Sequence, residues 1–256
     1  MRAYKFVFPA VLLIATALTV ALAAERTSLK RSEVRQIKNK LVAVLNALGN
    51  SPPGYVKEDE SFNLPTDIYT VGKTAKFRPA FASVSRNFVG DPGKGGASKK
   101  ELQKEMQARI NAAMAKGDFA SIQSLTMEYR QKMMAVQSAI DSARKMVPIE
   151  VRVRCNVTTS AKIDPDGVLF ESPGVIALKF KQNRRGQSKV EVYFDPVSLK
   201  NTEELSKLVF RHPRKGVGRK SIVLNFRITV RGPPNLVEAW AKKFDTKAIL
   251  RQIDGG

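Results

Sequence analysis

Apolar and polar residues alternate most regularly from Ser221 to Arg231, where Ile222, Leu224, Phe226, Ile228 and Val230 interleave with Val223, Asn225, Arg227, Thr229 and Arg231. Successive side chains of a strand point to opposite faces, so this spacing predicts a strand with one buried and one polar face. Three further stretches share the period. Ile149, Val151, Val153, Cys155 and Val157 alternate with Glu150, Arg152, Arg154, Asn156 and Thr158. Ile176, Leu178 and Phe180 alternate with Lys179 and Lys181, and a turn at Asn183-Arg184-Arg185-Gly186 leads back through Val190, Val192 and Phe194. Together they predict an antiparallel-rich sheet. Residues 202–210 read as a short helix or an edge strand.

Elsewhere the period is helical. Val34, Ile37, Leu41, Val44 and Leu48 form a stripe that Thr27 or Ser28 can cap and Gly49 can end. Ser98-Lys99-Lys100-Glu101 is a capping box before Leu102, Met106, Ile110 and Ala113. Gly117-Asp118 then ends one helix and starts another, which carries Ile122, Leu125, Tyr129, Met133, Val136 and Ile140 and stops at Pro148. So short a joint predicts an antiparallel helical hairpin. Leu236, Trp240 and Phe244 predict a closing helix, and Ile249 and Ile253 a last turn. Between residues 50 and 97 no period holds, and Pro52-Pro53-Gly54 and the glycines from Gly90 to Gly96 read as linker.

The expected fold is therefore α+β: an N-terminal helix and antiparallel helical hairpin, then an antiparallel-rich sheet covered on one face by C-terminal helices. The expected divisions are residues 1–24, a helical region 25–148 with a flexible linker 50–97, and a sheet domain 149–256. The first division reads as a secretory signal peptide. Arg2 and Lys5 precede the apolar run Val7 to Val20, and Ala21-Leu22-Ala23 supplies small residues for cleavage. A retained membrane anchor is the competing reading, which Pro9 and the shortness of the run disfavour. The expectation is a periplasmic or secreted protein with no transmembrane span after cleavage. Cys155 is the single cysteine, so no internal disulfide framework is available to it.

Charge adds a class of partner. Lys and Arg number 44 against 23 acidic residues, a net +21. Residues 1–24 hold only Arg2 and Lys5 of these, so the excess is spread over the body of the chain. Such a protein associates with anionic surfaces, which outside the cytoplasm means anionic lipid, lipopolysaccharide or acidic glycan. Aromatics among cations (Tyr69, Phe77, Phe81 and Phe88 with Lys73, Lys76, Arg78 and Arg86) can stack nucleic-acid bases, but no recognisable module surrounds them, and nucleic acid is disfavoured. If residues 202–210 return the chain across the sheet, two basic loops fall at one end. Arg184, Arg185, Lys189, Arg211, Arg214, Lys215, Arg219 and Lys220 are then the candidate anion-binding residues. They would lie beside a cationic sheet face of Arg152, Arg154, Lys179, Lys181, Arg227 and Arg231.

Six of the seven methionines lie in the expected hairpin. Met106, Met114, Met127 and Met134 offer an alternative, a flexible apolar surface for docking an envelope protein, as in a scaffold or assembly factor. Catalytic and cofactor motifs fail on spacing. Neither Gly90 to Gly96 nor Gly216 to Ser221 satisfies a phosphate loop. His212 sits in a basic loop without a neighbouring acid, Cys155 lies between valines, and Asp164 and Asp166 lack the rest of a calcium loop. No catalytic residue, metal ligand or cofactor is predicted, and the expected function is non-catalytic binding.

Overall fold

The computed structural model describes residues 25–255 apart from Lys73, Lys94 and residues 182–185, and in residues 95–98 the backbone alone. The expected signal peptide, Arg184 and Arg185 lie outside the described residues. The elements in chain order are β1 (Arg26–Ser28), α1 (Arg31–Ala47), β2 (Tyr55–Asn63), β3 (Asp67–Tyr69), β4 (Ala82–Gly90), α2 (Gly95–Ala115) and α3 (Phe119–Lys145). They continue with β5 (Ile149–Cys155), β6 (Thr159–Lys162), β7 (Val168–Ser172), β8 (Val175–Phe180), β9 (Ser188–Phe194), β10 (Lys207–Phe210), β11 (Phe226–Gly232), α4 (Pro234–Ala241) and α5 (Thr246–Leu250). Seven strands pair antiparallel in the order β2-β4-β5-β11-β9-β8-β7, and β1-β3 and β10-β6 form small two-stranded sheets.

This sheet-rich architecture overturns the expected fold class, in which helices filled the first half of the chain and the sheet the second. β2 and β4 lie within residues 50–97, the stretch read as linker, and β4 pairs along its length with β5. Their alternation is masked for a physical reason. Glu60 and Arg86 oppose each other on the covered face, where an apolar pair would have announced the strands, and they form a half-buried ion pair at 2.6 Å. A register shift between Lys57 and Asp59 breaks the period further. Nor do C-terminal helices alone cover the apolar face. Ile37, Leu41, Val44 and Leu45 of α1 pack with Val84, Val151, Val153, Ile228 and Val230 in one core, which Val237, Trp240 and Phe244 complete.

The opposite face is half covered. Leu208 and Phe210 of β10 pack with Val157, Ile176, Leu178 and Tyr193 in a second core over β8 and β9. β8 is consequently buried on both sides, from Val175 to Leu178, and reads as a continuous apolar run because each neighbour takes one face. Strands β4, β5 and β11 keep this face open.

The strand expected from Ser221 begins only at Phe226. Ser221, Val223 and Asn225 are buried, then Phe226, Ile228 and Val230, so the alternation slips by one residue at Asn225. Asn156 and Asn225 hold the slip. Asn156 Nδ2 donates to the Ala80 and Ile222 carbonyls, both at 2.8 Å, and its Oδ1 accepts from the Leu224 amide at 2.8 Å. Asn225 Oδ1 accepts from the Val157 amide at 2.8 Å. Asp254 pins the same segment: its carboxylate accepts from the Val223 amide at 2.7 Å, from Lys40 of α1 and from Arg219.

Burial opposes ionisation of Asp254, but the bonds from Lys40, the Val223 amide and Arg219 outweigh it and hold the carboxyl below its ordinary range. A carboxyl depressed in the folded state stabilises at neutral pH, and that stabilisation is lost as pH falls through the folded value. Asp254→Asn therefore lowers stability at neutral pH, and its deficit against the parent shrinks in acid. Urea unfolding at the two pH values checks this, and a deficit equally large in acid refutes it.

Helices α2 and α3 pack against each other and join β4 to β5 at the end of the sheet where β4 finishes. α2 begins at Gly95, about a turn before the cap expected at Ser98. The base of α3 crosses close over Gly90. A Cβ there would lie 2.4 Å from the Ala143 carbonyl oxygen and 2.8 Å from Met146 Sδ. Overpacking against backbone costs about 1–3 kcal/mol, and Gly90→Ala is expected to lower stability by that amount in chemical denaturation. Among the described residues no helix is long and apolar enough to cross a membrane.

Candidate functional site

The sheet register lays the open face out in three cross-strand rows. In the first, Asn63, Ser83, Arg154, Arg227 and Tyr193 stand side by side on β2, β4, β5, β11 and β9. In the second they are Ser61, Ser85, Arg152, Thr229 and Glu191. In the third they are Asp59, Asn87, Glu150, Arg231 and Lys189. Polar residues occupy this side of β5 and β11 because the other side faces the main core. With rows about 7 Å apart and strands about 5 Å apart, the patch from β2 to β11 measures about 14 Å each way.

The charges are unevenly neutralised. Glu150 accepts from Arg152 Nη2 at 2.7 Å and from Arg231 Nη1 at 3.0 Å, and Arg152 Nε also donates to Ser85 Oγ at 3.2 Å. Glu191 accepts from Tyr193 and lies 3.4 Å from Lys189. Burial, and then Glu191, raise the Tyr193 phenol well above its ordinary range, so Tyr193 remains a neutral donor. Arg154 and Arg227 oppose each other directly and neither forms an ion pair with a described residue. Burial first, then Arg227 and Arg152, push the Arg154 guanidinium below its ordinary value. Among the described residues Arg227 Nε–H is buried without an acceptor, and the hydroxyl of Thr229, in the second row beside Arg152, is buried without a partner in a residue only 6% exposed. Next to these residues an open cleft of about 500 Å³ is lined by Glu58, Ser61, Ser85, Asn87, Glu150, Arg152 and Arg231, among others.

The structure separates the basic residues expected to converge. β9 runs away from the end where Lys189 lies, and β10 then pairs with β6, outside the main sheet. The chain never returns, so β11 starts at the far end. Lys189 and the loop Arg211 to Lys220 are thus at opposite ends of strands about 20 Å long. Lys189 stands on the open face, 3.8 Å from the Phe180 ring centroid. Arg219 pairs with Asp254, and Lys220 donates to the Ser28 carbonyl at 3.2 Å. Arg211, Arg214 and Lys215 are exposed and form no ion pair with a described residue. Lys179 falls on the face opposite Arg231, because it is in register with Val190 and Val230.

Of the four methionines, Met106 is buried between α2 and α3, whereas Met114, Met127 and Met134 are exposed. His212 Nε2 donates to the Asn156 carbonyl at 2.8 Å. Burial pushes the Cys155 thiol up to about 12, so it stays protonated. Asn156, the acceptor of a glycosylation sequon, is 1% exposed and its side-chain amide is fully engaged. Among the described residues no three His, Cys, Asp or Glu are grouped as metal ligands.

Sequence reading missed Thr229 and the polar strip of Asp59, Ser61, Asn63, Ser83, Ser85 and Asn87. The signal was present in Ser83, Ser85 and Asn87, one residue in two, but Arg86 on the covered side obscured it. No protein-family model, no curated protein and no solved structure matches this chain.

Proposed function

We propose that the protein is an exported, non-catalytic binding protein that holds an anionic partner on the open face of its sheet. One observation carries the reading: Arg154 and Arg227 are opposed with no carboxylate among the described residues in ion-pair contact with either, and in the adjacent row the hydroxyl of Thr229 has no partner among those residues. Like charges directly opposite in a sheet cost about 0.2–1 kcal/mol. An anion set between them replaces repulsion with charge-assisted bonds to both. Export is supported by the charged start, apolar run and small residues of segment 1–24.

The test is binding of dextran sulfate and of anionic vesicles to the purified protein across ionic strength. Affinity falls as salt rises, because screening weakens exposed charge pairs. An Arg154→Gln/Arg227→Gln variant loses binding, while Arg211→Gln/Arg214→Gln/Lys215→Gln changes affinity by less than about threefold. The opposite ranking would return the site to the loops.

A second reading, an envelope assembly protein docking a partner against α2 and α3, is favoured by the exposure of Met114, Met127, Met134 and Phe119. Its mark is a protein partner that stays bound at high salt, since apolar contacts persist where charges are screened.

A further inference from the structure

The ligand class is written in what lies beside the arginines, and this step rests on the proposed arginine site. β2 and β4 present Asn63, Ser61, Ser83, Ser85 and Asn87 on the open face, neutral donors and acceptors in register with Arg154, Arg152 and Glu150, with the carboxylate of Asp59 at the end of the strip away from Arg154. Ser61 and Asn63 are exposed, and Ser83, Ser85 and Asn87 half-buried. Ser61, Ser85 and Asn87 line the cleft with Arg152 and Arg231, and with Glu58 and Glu150, the latter bonded to both of those arginines. A lipid surface offers no row of hydroxyls to match such a strip, and a purely electrostatic contact leaves it unused. Base stacking needs exposed rings, and the one aromatic in the three rows, Tyr193, is 1% exposed.

We propose that this face binds an acidic saccharide. Its sulfate, phosphate-ester or carboxylate group sits between Arg154 and Arg227 beside Thr229, and its ring hydroxyls are read by Ser61, Ser85 and Asn87. The patch, about 14 Å on a side, is long enough for two or three sugar rings. Guanidinium forks supply the planar, paired donors that an oxyanion takes. Hydroxyl and amide groups can each donate and accept, as sugar hydroxyls require.

The experiment measures affinities of the full protein by calorimetry for dextran sulfate, a polyuronate, neutral dextran, phosphatidylglycerol vesicles and single-stranded DNA. Two variants are compared, Ser61→Ala/Ser85→Ala/Asn87→Ala and Arg154→Gln/Arg227→Gln, with thermal unfolding as a check on folding. An acidic polysaccharide is expected to bind at least about tenfold tighter than vesicles or DNA, and the strip variant to lose about tenfold for that polysaccharide alone. Preference for dextran sulfate or for the polyuronate identifies the acid group. If the strip variant binds the polysaccharide like the parent while the arginine variant fails, the saccharide inference is overturned and the anion site stands. If neither variant changes any affinity, both are overturned. Vesicles or DNA binding as tightly as the polysaccharide, or neutral dextran binding as tightly as its sulfate, also overturns it.

Discussion

A protein in which Arg154 and Arg227 are both glutamine loses about 100-fold in affinity for a polyanion, yet unfolds at the parent's temperature or above it. The two halves of this result have one cause. Each guanidinium gives up solvation to stand on a half-covered face, beside another cation and without a carboxylate in contact. Replacing both removes a like-charge pair worth about 0.2–1 kcal/mol and keeps groups able to hydrogen-bond. With the anion bound, each arginine contributes a charge-assisted bond of about 1.5–3 kcal/mol that glutamine cannot match. Residues kept against the interest of the fold mark a binding site more securely than residues that also stabilise it. Thermal unfolding and calorimetry on the one variant give both numbers. A large loss of stability with unchanged affinity would make the pair structural.

Asn156→Ala has the opposite profile: it destabilises by about 3–5 kcal/mol. The substitution leaves two carbonyls and one amide without partners in a buried setting, each costing about 1–3 kcal/mol. Asn156 also sits at φ 54°, a left-handed conformation that asparagine tolerates better than alanine. Asn156→Gly removes the conformational cost but loses the same bonds, so it is expected to be about 1 kcal/mol less damaging than alanine. Chemical denaturation ranks the three proteins. If alanine and glycine both cost less than about 1 kcal/mol, other contacts hold the approach to β11.

These two sites differ in how far the sequence exposes them. Arg152, Arg154, Arg227 and Arg231 are legible as the polar phase of two strands, because each strand has one face in the main core. Their pairing across β5 and β11 is not legible, because sharing a sheet fixes neither which strands are neighbours nor their register. The hub at Asn156 is not legible, because a strand pattern carried through Val157 gives it an outward side chain. In the structure β5 stops at Cys155 and the asparagine turns inward. The loops were misplaced for a topological reason: Leu208 and Phe210 alternate as a strand should, but nothing in them says that the partner is β6 and not the main sheet. β2 and β4 escaped because Glu60 and Arg86 satisfy each other where a hydrophobic pair was the expected signal.

β4 and β5 are hydrogen-bonded neighbours, yet 58 residues, Asp91 to Pro148, separate them in the chain. Closing so long a connection in place of a four-residue turn carries an entropic penalty of about 2 kcal/mol. The excursion lifts most of it itself. α2 and α3 touch along their length through contacts close in sequence, with Arg109 3.6 Å from Glu128, so the pair can zip early and bring Gly90 and Ile149 together. Tyr55 then donates to the Val147 carbonyl at 2.9 Å, adding β2 to the same junction. The slow search in this fold accordingly lies elsewhere: in bringing β11 between β5 and β9, across some seventy residues from Cys155 to Phe226.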